Sequence, residues 1–512
     1  MRPSTRYLYL TVFVAGMTTL AVEVSAARLL EAVFGTSNIV WANIIGLILI
    51  YLTLGYFLGG RWADRSPHPQ TFYRLLLWAA FTSGLIPLLA RPLLRAAARA
   101  FADLEVAVIG GSFLSVLLLF AIPVTLLGCV SPFALRLALW DLRRAGDVAG
   151  RVYALSTLGS VIGTFAPVLF LIGAIGTART FLLFAGLLMA VALLGLARAG
   201  GRWWAYLWMP LLLLGSAWLL LRGPLKPPLW GWRPLHEEES AYNYIQVMEA
   251  EDGTRYLLLN EGQGVHSVYH PDRLRTFGTW DYFLIAPYFN PPPYPPARVR
   301  RVAILGLAAG TIARQITQVY GPLPIVGVEI DPAIVRVGRD YFGMTMPNLQ
   351  VVVGDARAFL ARSPRRYTLV AVDAYRLPYI PWHLTTVEFF RQVRDHLTDD
   401  GVVAVNVGHT DTDYRLVAAM VRTLGQVFPS VHVVDLPGTF NALIIATVQP
   451  TSPENLAANL DGLQHPFLRE VAGEALANLR TVPPDGPIFT DDRAPVESLT
   501  NAIVIRYLLQ GE

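Results

Sequence analysis

The pattern of apolar and polar positions changes character near residue 222. Before it, apolar residues run in long blocks with few interruptions; after it, they come in short runs separated by polar and turn residues. A helix needs about 20 mostly apolar residues to cross a hydrocarbon core of about 30 Å. Seven stretches qualify, roughly 7–27, 39–60, 72–90, 107–128, 153–173, 179–198 and 203–221. They predict a multi-span α-helical membrane domain over 1–222, of about seven helices. The first stretch runs straight into further spans and lacks an A-x-A-like cleavage site, so it reads as a span rather than a signal peptide. The connecting loops are short and carry arginine, as in "GGRWADR" (59–65) and "LWDLRRAGD" (139–147). Glycine recurs inside "TLGSVIGTF" (157–165), which suits close helix packing in lipid.

"GPLKPPLWGWRP" (223–234) closes the apolar half, and 223–239 reads as a stiff, proline-rich linker. Residues 240–296 predict a small antiparallel β domain. Its β-like runs are "YNYIQVMEA", "TRYLLLN" and "GVHSVYH", "EDG" (251–253) supplies a hairpin turn, and "NPPPYPP" (290–296) ends it. From 297 to 512, strands at 301–306, 325–329, 349–353, 368–373, 401–407, 431–436 and 441–446 alternate with helices at 311–320, 332–341, 384–397 and 411–427. Such alternation predicts an α/β, Rossmann-like domain of methyltransferase type with a mostly parallel seven-stranded sheet and a C-terminal extension. "PGTF" (437–440) joins the last two strands as a hairpin.

Composition sharpens this picture. Charged residues are 15% of the chain and hydrophobic residues 54%, with mean hydropathy +0.45, against about 25% charged in soluble proteins. A lipid bilayer is the implied partner. A net charge of +4 over 512 residues gives no reason to expect nucleic acid. Lys226 is the only lysine, so nearly all positive charge is arginine. The single cysteine, Cys129, excludes intramolecular disulfides and cysteine metal clusters, and no metal site is expected.

In a parallel sheet with helices on both faces, ligands bind beyond the carboxyl ends of the strands. Four features stand there. "ILGLAAGT" (304–311) ends the first strand, and Gly306 and Gly310 permit a tight turn and close backbone approach. "VGVEID" (326–331) ends the second, placing Glu329 where an acid meets ribose hydroxyls; Asp331 reads as the cap of the helix that starts at Pro332. "VVVGDA" (351–356) ends the third with Asp355, which either accepts from an adenine amino group or caps "ARAFL". Asp373 ends the fourth, in "VDAYRLPYIPWHLTTVEFF", and Arg376 follows three residues later. Each feature has an ordinary structural reading; together, at successive strand ends, they favour nucleoside binding.

The ordered set resembles the spermidine synthase (polyamine aminopropyltransferase) family in its membrane-fused branch. The resemblance covers roughly 240–446: "AYNYIQV" is similar to the family's first strand and "VAILGLAAG" to its glycine loop. "VGVEID" is similar to its ribose acid, "GDARAFL" to its adenine loop, and "VDAY" to the strand end with the catalytic aspartate. "ALSTLGSVIGTF", "GYFLGGRWADR" and "FTDDRAPVE" (489–497) resemble elements of the fused branch. The resemblance implies transfer of an aminopropyl group from decarboxylated S-adenosylmethionine to a polyamine acceptor. It assigns Asp373 the catalytic role. Gly306, Gly310, Glu329, Asp355, Ala356 and His266 are implied to bind the nucleoside, and Tyr244, Asp281, Tyr375, Arg376 and His383 to line the acceptor site. A homodimer is left open.

The departures bear on the acceptor. Where the soluble enzymes carry an acid in the glycine loop, this chain has Ala309; where they carry a second acid after the catalytic one, it has Arg376. His266 stands in place of a glutamine, and Asp281, in Thr279-Trp280-Asp281, keeps one acid. A desolvated Arg376 about 4 Å from a protonated amine would repel it by several kcal/mol; alternatively it points outward or grips a carboxylate. The competing readings are methyl or aminocarboxypropyl transfer from intact S-adenosylmethionine, and a non-catalytic ligand-binding domain fused to a transporter or sensor. Glu23, in the first span, and the Arg28–Glu31 pair near its end are the ionisable groups that raise the last. With seven spans, Lys and Arg up to 233 divide eleven to eight between the sides, favouring an external soluble domain. The cytoplasmic origin of adenosyl sulfonium donors favours the opposite, and a multi-pass cell-membrane protein with its soluble domain in the cytoplasm is the expectation.

Overall fold

The computed structural model describes residues 5–34, 38–100, 106–139, 142–221, 231–260, 264–375 and 380–510. Arg376 and residues 223–230 of the predicted linker lie outside these residues. The chain groups into two units, Met1–Pro227 with Glu237–Tyr244, and Pro228–His236 with Ile245–Glu512.

In the first unit, six helices among the described residues are long and apolar enough to cross a membrane: Thr5–Glu31, Val40–Arg65, Pro69–Ala90, Gly110–Ala138, Ala145–Ile175 and Thr177–Arg198. Of the seven stretches expected, 203–221 forms a 3-10 turn, Trp203–Tyr206, and a helix, Trp208–Leu221, that runs to the last described residue before 231.

The helices Thr5–Phe34 and Ala145–Ala166 touch backbone to backbone. A Cβ added to Gly159 would lie 2.0 Å from the Phe13 carbonyl oxygen, and one added to Gly163 would lie 2.0 Å from that of Met17. Pairing Phe13 with Gly159 and Met17 with Gly163 makes the two helices parallel. The predicted use of glycine for close packing is thus realised. The same helix continues through a π turn, Pro167–Leu171, where Pro167 has no N–H to give the carbonyl of Gly163. Arg28 bonds the carbonyls of Ser240 (2.8 Å) and Tyr242 (3.0 Å) as well as Glu31 (3.3 Å). Glu239 accepts from the Thr177 backbone N–H at 2.8 Å, a carboxylate on the first N–H of a helix.

The second unit begins with a four-stranded sheet: β1 (Arg233–Glu239), β2 (Tyr244–Glu249), β3 (Arg255–Leu259) and β4 (Val265–Tyr269), in that order. β1 falls in the stretch read as linker. The "EDG" hairpin forms between β2 and β3, with Gly253 at φ +82° and Asp252 accepting from the Thr254 N–H. The larger sheet contains β5 (Val302–Leu305), β6 (Ile325–Glu329), β7 (Leu349–Val353), β8 (Tyr367–Val372), β9 (Leu397–Gly408), β10 (Ser430–Asp435), β11 (Asn441–Thr447) and β12 (Leu479–Arg480). Their order is β12-β10-β11-β9-β8-β5-β6-β7. β5 to β9 are parallel, while β10, β11 and β12 pair antiparallel. The sheet is therefore eight-stranded and mixed, not seven-stranded and mostly parallel. The eighth strand is two residues long and has no alternation to reveal it. Helices Glu454–Leu460, Pro466–Ala477 and Val496–Gln510 were also outside the sequence reading, and Ala356–Arg362 entered it only through the capping alternative for Asp355.

Two apolar layers cover the sheet because its strands alternate inward residues to both faces. Ile304, Leu369, Ala404 and Leu443 pack on one side with Phe283 and Phe289; Leu305, Val370, Val405 and Ile444 pack on the other with Phe389 and Phe390. The chain moves outward from β5 through β6 to β7, then returns to β8 on the other side of β5. The carboxyl ends of β5 and β8 thus meet at the reversal point, where such sheets leave a crevice.

Candidate active site

Asp373 immediately follows β8, and its backbone N–H donates to the Leu305 carbonyl at 2.9 Å. Gly306 has φ +94°, and a Cβ there would lie 2.4 Å from the Asp373 carbonyl oxygen. Only glycine lets the β5 loop and the β8 end approach this closely. Gly310, at φ +90°, faces the Met344 side chain in the same way, with 2.7 Å between its added Cβ and Cγ. Both glycines are thus required by protein against protein. Their effect on a ligand is indirect: they bring the end of β5 against Asp373.

The Asp373 carboxyl accepts from Asn406 Nδ2 at 2.9 Å and from the Trp280 side chain. It is partly exposed, as a group that meets a ligand must be. Even so, the surrounding protein strips enough water to push it up to about 7, against the two hydrogen bonds that pull it down. Asn406 is 6% exposed, and its Oδ1 has no hydrogen-bond partner among the described residues. The Tyr375 hydroxyl is buried near Gly408 and raised by burial and by the charge of Asp373.

Glu329 ends β6 and is 7% exposed. One oxygen accepts from the Ala308 N–H (2.9 Å), the other from the Asp331 N–H (3.0 Å). Ala308 sits at φ +46°, an uncommon conformation for a residue with a Cβ, so the Glu329 bond helps fix the glycine loop. Burial pushes Glu329 up to about 7 despite these donors. A carboxylate offers about four lone-pair sites; with the Ile330 N–H as a third donor, capacity for a ligand hydroxyl remains. Asp331 caps the next helix through the Ala333 N–H, as its sequence position suggested.

Asp355 has both of the roles considered for it open to inspection. It caps Ala356–Arg362 by accepting from the Ala358 N–H at 2.7 Å, and its second oxygen lies 3.0 Å from His383 Nε2. Ala356, at the helix start, is buried. Arg357 bonds the His383 carbonyl (3.1 Å) and both oxygens of Asp491 (2.7 and 2.6 Å), and Asp491 accepts from Thr386 (2.8 Å). The "FTDDRAPVE" segment thereby pins the chain around His383 to the Asp355 helix.

β4 lies against the glycine loop: Ser267 Oγ accepts from the Ala309 N–H at 2.9 Å, and Thr311 Oγ1 exchanges bonds with Val268. His266 is carried there on β4, and burial lowers it to about 4, so its imidazole is neutral at pH 7. Ala309 is buried and apolar. Tyr244 opens β2 on the segment that groups with the first unit.

Asp281 departs from its expected place. It is 0% exposed. Its oxygens accept from Arg275 (2.6 Å), Thr276 Oγ1 (2.7 Å), the backbone of Thr276 (3.2 Å) and Phe277 (2.8 Å), and Gln315. Arg275 is shared with Glu474. The physical reason is the turn 275–278, whose donors all converge on one carboxylate and leave it no free lone pair for an amine. Its neighbour Trp280 is the residue that reaches Asp373. Asn406 and Trp280 were missed by the sequence reading. A polar residue in the apolar run "VVAVNVG" was the available signal for the first; nothing distinguished the second.

Residues 292–457 match the family model described as the spermine/spermidine synthase domain, and the C-terminal half carries that domain. The chain is 33% identical over 292 residues to a probable polyamine aminopropyl transferase of Bifidobacterium longum (strain NCC 2705), covering 53% of this chain and 63% of that protein. It is 26% identical over 279 residues to the polyamine aminopropyltransferase of Vibrio vulnificus (strain CMCP6), covering 52% of this chain and 91% of that one. Among solved structures, the spermidine synthase of Thermotoga maritima aligns with TM-score 0.38 and 17% identity, over 50% of this chain and 94% of that one.

Proposed function

We propose that the chain is an integral-membrane aminopropyltransferase that moves an aminopropyl group from decarboxylated S-adenosylmethionine to a polyamine acceptor, with its soluble half in the cytoplasm. The carrying observation is Asp373: a partly exposed acid at the β5/β8 reversal, raised to about 7, with Glu329 on the adjoining strand end. The domain match and the polyamine aminopropyltransferase relatives support the same reading.

The donor supplies an electrophilic carbon next to a sulfonium. Glu329 has lone pairs for the ribose hydroxyls, and Asp355 with His383 walls the adenine side. The acceptor nitrogen must attack uncharged, although a free alkylamine with a pKa of about 10 is protonated at neutral pH. Asp373 orients that nitrogen and takes its proton as the C–N bond forms, while the C–S electron pair leaves on sulfur as a neutral thioether. Asn406 and Trp280 hold the carboxylate and stabilise its charged form.

A second reading rests on the acceptor side. Asp281 is consumed by Arg275 and its turn, and Ala309 carries no charge, so Asp373 meets the acceptor without those two acids. That favours an acceptor with fewer charges, or intact S-adenosylmethionine as donor. Incubating the purified protein with either donor and a panel of amines, with products identified by mass, separates the readings. Turnover with neither donor would refute both.

A further inference from the structure

The six-helix unit holds polar groups that its packing does not use. Glu23 lies within the first span, 11 residues before the end of Thr5–Phe34, and no hydrogen bond or ion pair joins it to another described residue. An intramembrane acid of this kind is costly and points to a site. Four hydroxyls form an independent set. Ser25, Tyr51, Ser83 and Ser115 are 0%, 4%, 0% and 1% exposed, and none of their oxygens has a hydrogen-bond partner among the described residues.

These five groups come from four different helices, yet they share one depth. Phe34 and Asn38 end and begin adjacent helices. Measured from those two helix ends at about 1.5 Å per residue, Ser25 lies about 14 Å deep, Glu23 about 17 Å and Tyr51 about 20 Å. Arg65 and Pro69 make the next turn, which puts Ser83 about 20 Å deep on the same scale. Asn43 bonds Ser112 at 2.9 Å, which places Ser115, one turn on, about 12 Å deep. All five fall within a layer about 8 Å thick. They also adjoin one core cluster. Tyr51 belongs to it, and the others stand three or four residues from its members on their own helices: Glu23 from Ala26 and Ala27, Ser25 from Val22, Ser83 from Ile86 and Ser115 from Leu119.

We propose that this layer is a binding site for an alkylammonium ion, with Glu23 as its counter-ion and the hydroxyls as acceptors for its N–H groups. The donor set is all oxygen with a single formal charge, which suits a monovalent cation. Hydroxyls dispersed over four helices suit a cation with directed N–H groups and a carbon chain better than a compact bare ion, which needs its oxygens in one shell. The proposal concerns the membrane unit and does not rest on transferase chemistry in the soluble half.

The test uses the full chain in lipid nanodiscs and a lipophilic diazo reagent, which esterifies carboxyl groups and does not react with amines. Esterification of Glu23 is read by peptide mass. Saturating butylammonium should slow it at least tenfold, whereas tetramethylammonium, which has no N–H, and sodium at equal ionic strength should not. Tyr51→Phe and Ser83→Ala should each raise the half-protecting concentration at least threefold. The Asp373→Asn chain should be protected like the wild type, which separates this site from the soluble one. Absence of protection, equal protection by sodium or tetramethylammonium, indifference to both hydroxyl variants, or loss of protection in Asp373→Asn would each overturn the proposal.

Discussion

Replacing Asp373 by Asn should move activity and stability in opposite directions. Asparagine keeps the shape and can still accept from Asn406 and Trp280, but it can neither carry charge nor take a proton. Loss of a positioned base typically costs 10²–10⁴ in rate, which is about 3–5 kcal/mol of transition-state stabilisation. The stability effect follows from the raised acid. The folded state holds a proton up to about pH 7 that the unfolded chain releases near 3.8. That proton stabilises fully below the lower value, and the contribution is lost as pH rises through 7. Three units at about 1.4 kcal/mol each give an upper bound near 4 kcal/mol; the carboxyl is partly exposed, so roughly 2 kcal/mol is a fair expectation. Above pH 7 the asparagine variant escapes that penalty and should melt about 4–8 °C higher than the wild type. Below pH 4 the two should melt together. The assay pairs product formation by mass spectrometry from pH 5.5 to 9 with thermal unfolding of the detergent-solubilised full chain at pH 4 and 8. Wild-type kcat/KM should fall about tenfold per unit below 7. A variant that is inactive and also less stable at pH 8 would refute the reasoning, since Asp373 would then be a structural anion.

Glu329→Gln should weaken binding of methylthioadenosine by about 1.5–3 kcal/mol, the worth of a hydrogen bond to a charged group; unchanged calorimetric affinity would remove Glu329 from the nucleoside site. Asn406→Leu takes away a donor to the Asp373 carboxylate, so the acidic limb of the rate profile should move up by about one unit. An unshifted limb would mean that this bond does not tune the base. Asp281→Leu leaves Arg275 with Glu474 and Glu470 but takes the acceptor from Thr276, Phe277 and Gln315, and should cost about 3 kcal/mol of stability; a variant of normal stability with an altered amine KM would instead put Asp281 at the acceptor. For sidedness, Cys129→Ala combined with Glu251→Cys, on the exposed β2–β3 turn, should resist a membrane-impermeant maleimide in intact cells. Labelling before lysis would place the soluble half outside.

What the sequence made legible was whatever local pattern controls. The parallel strands and the glycine loop could be read because apolar runs end in glycine or acid at each carboxyl end, and the chain direction then puts Glu329 and Asp373 on one edge of the sheet. The β2–β3 hairpin was readable from three residues, Glu251-Asp252-Gly253, because a turn is a local event. At 203–221 the apolar run holds a break that composition does not show, the 3-10 turn Trp203–Tyr206 ahead of the helix Trp208–Leu221. The π turn at Pro167 had the opposite effect, since it let one span continue past a proline that normally ends a helix.

The site was harder to read because an acid's role depends on its partners, and partners come from distant parts of the chain. Asp281 and Asp373 look alike in sequence, each a lone acid beside aromatic residues. In the fold, Asp281 gathers Arg275, Thr276, Phe277 and Gln315 and has no lone pair left. Asp373 receives two neutral donors, from Asn406 and Trp280, and is left partly exposed with its charge unmatched. The first arrangement satisfies a buried carboxylate and produces structure. Burial raises the proton affinity of both, Asp373 to about 7, but only the second is left partly exposed, and so able to exchange a proton at working pH. The same contrast separates Glu31, paired with Arg28, from Glu23 one helix face away. Asp373 and Glu23 have no cationic partner among the described residues, and an acid that a fold leaves so is the one to test for function.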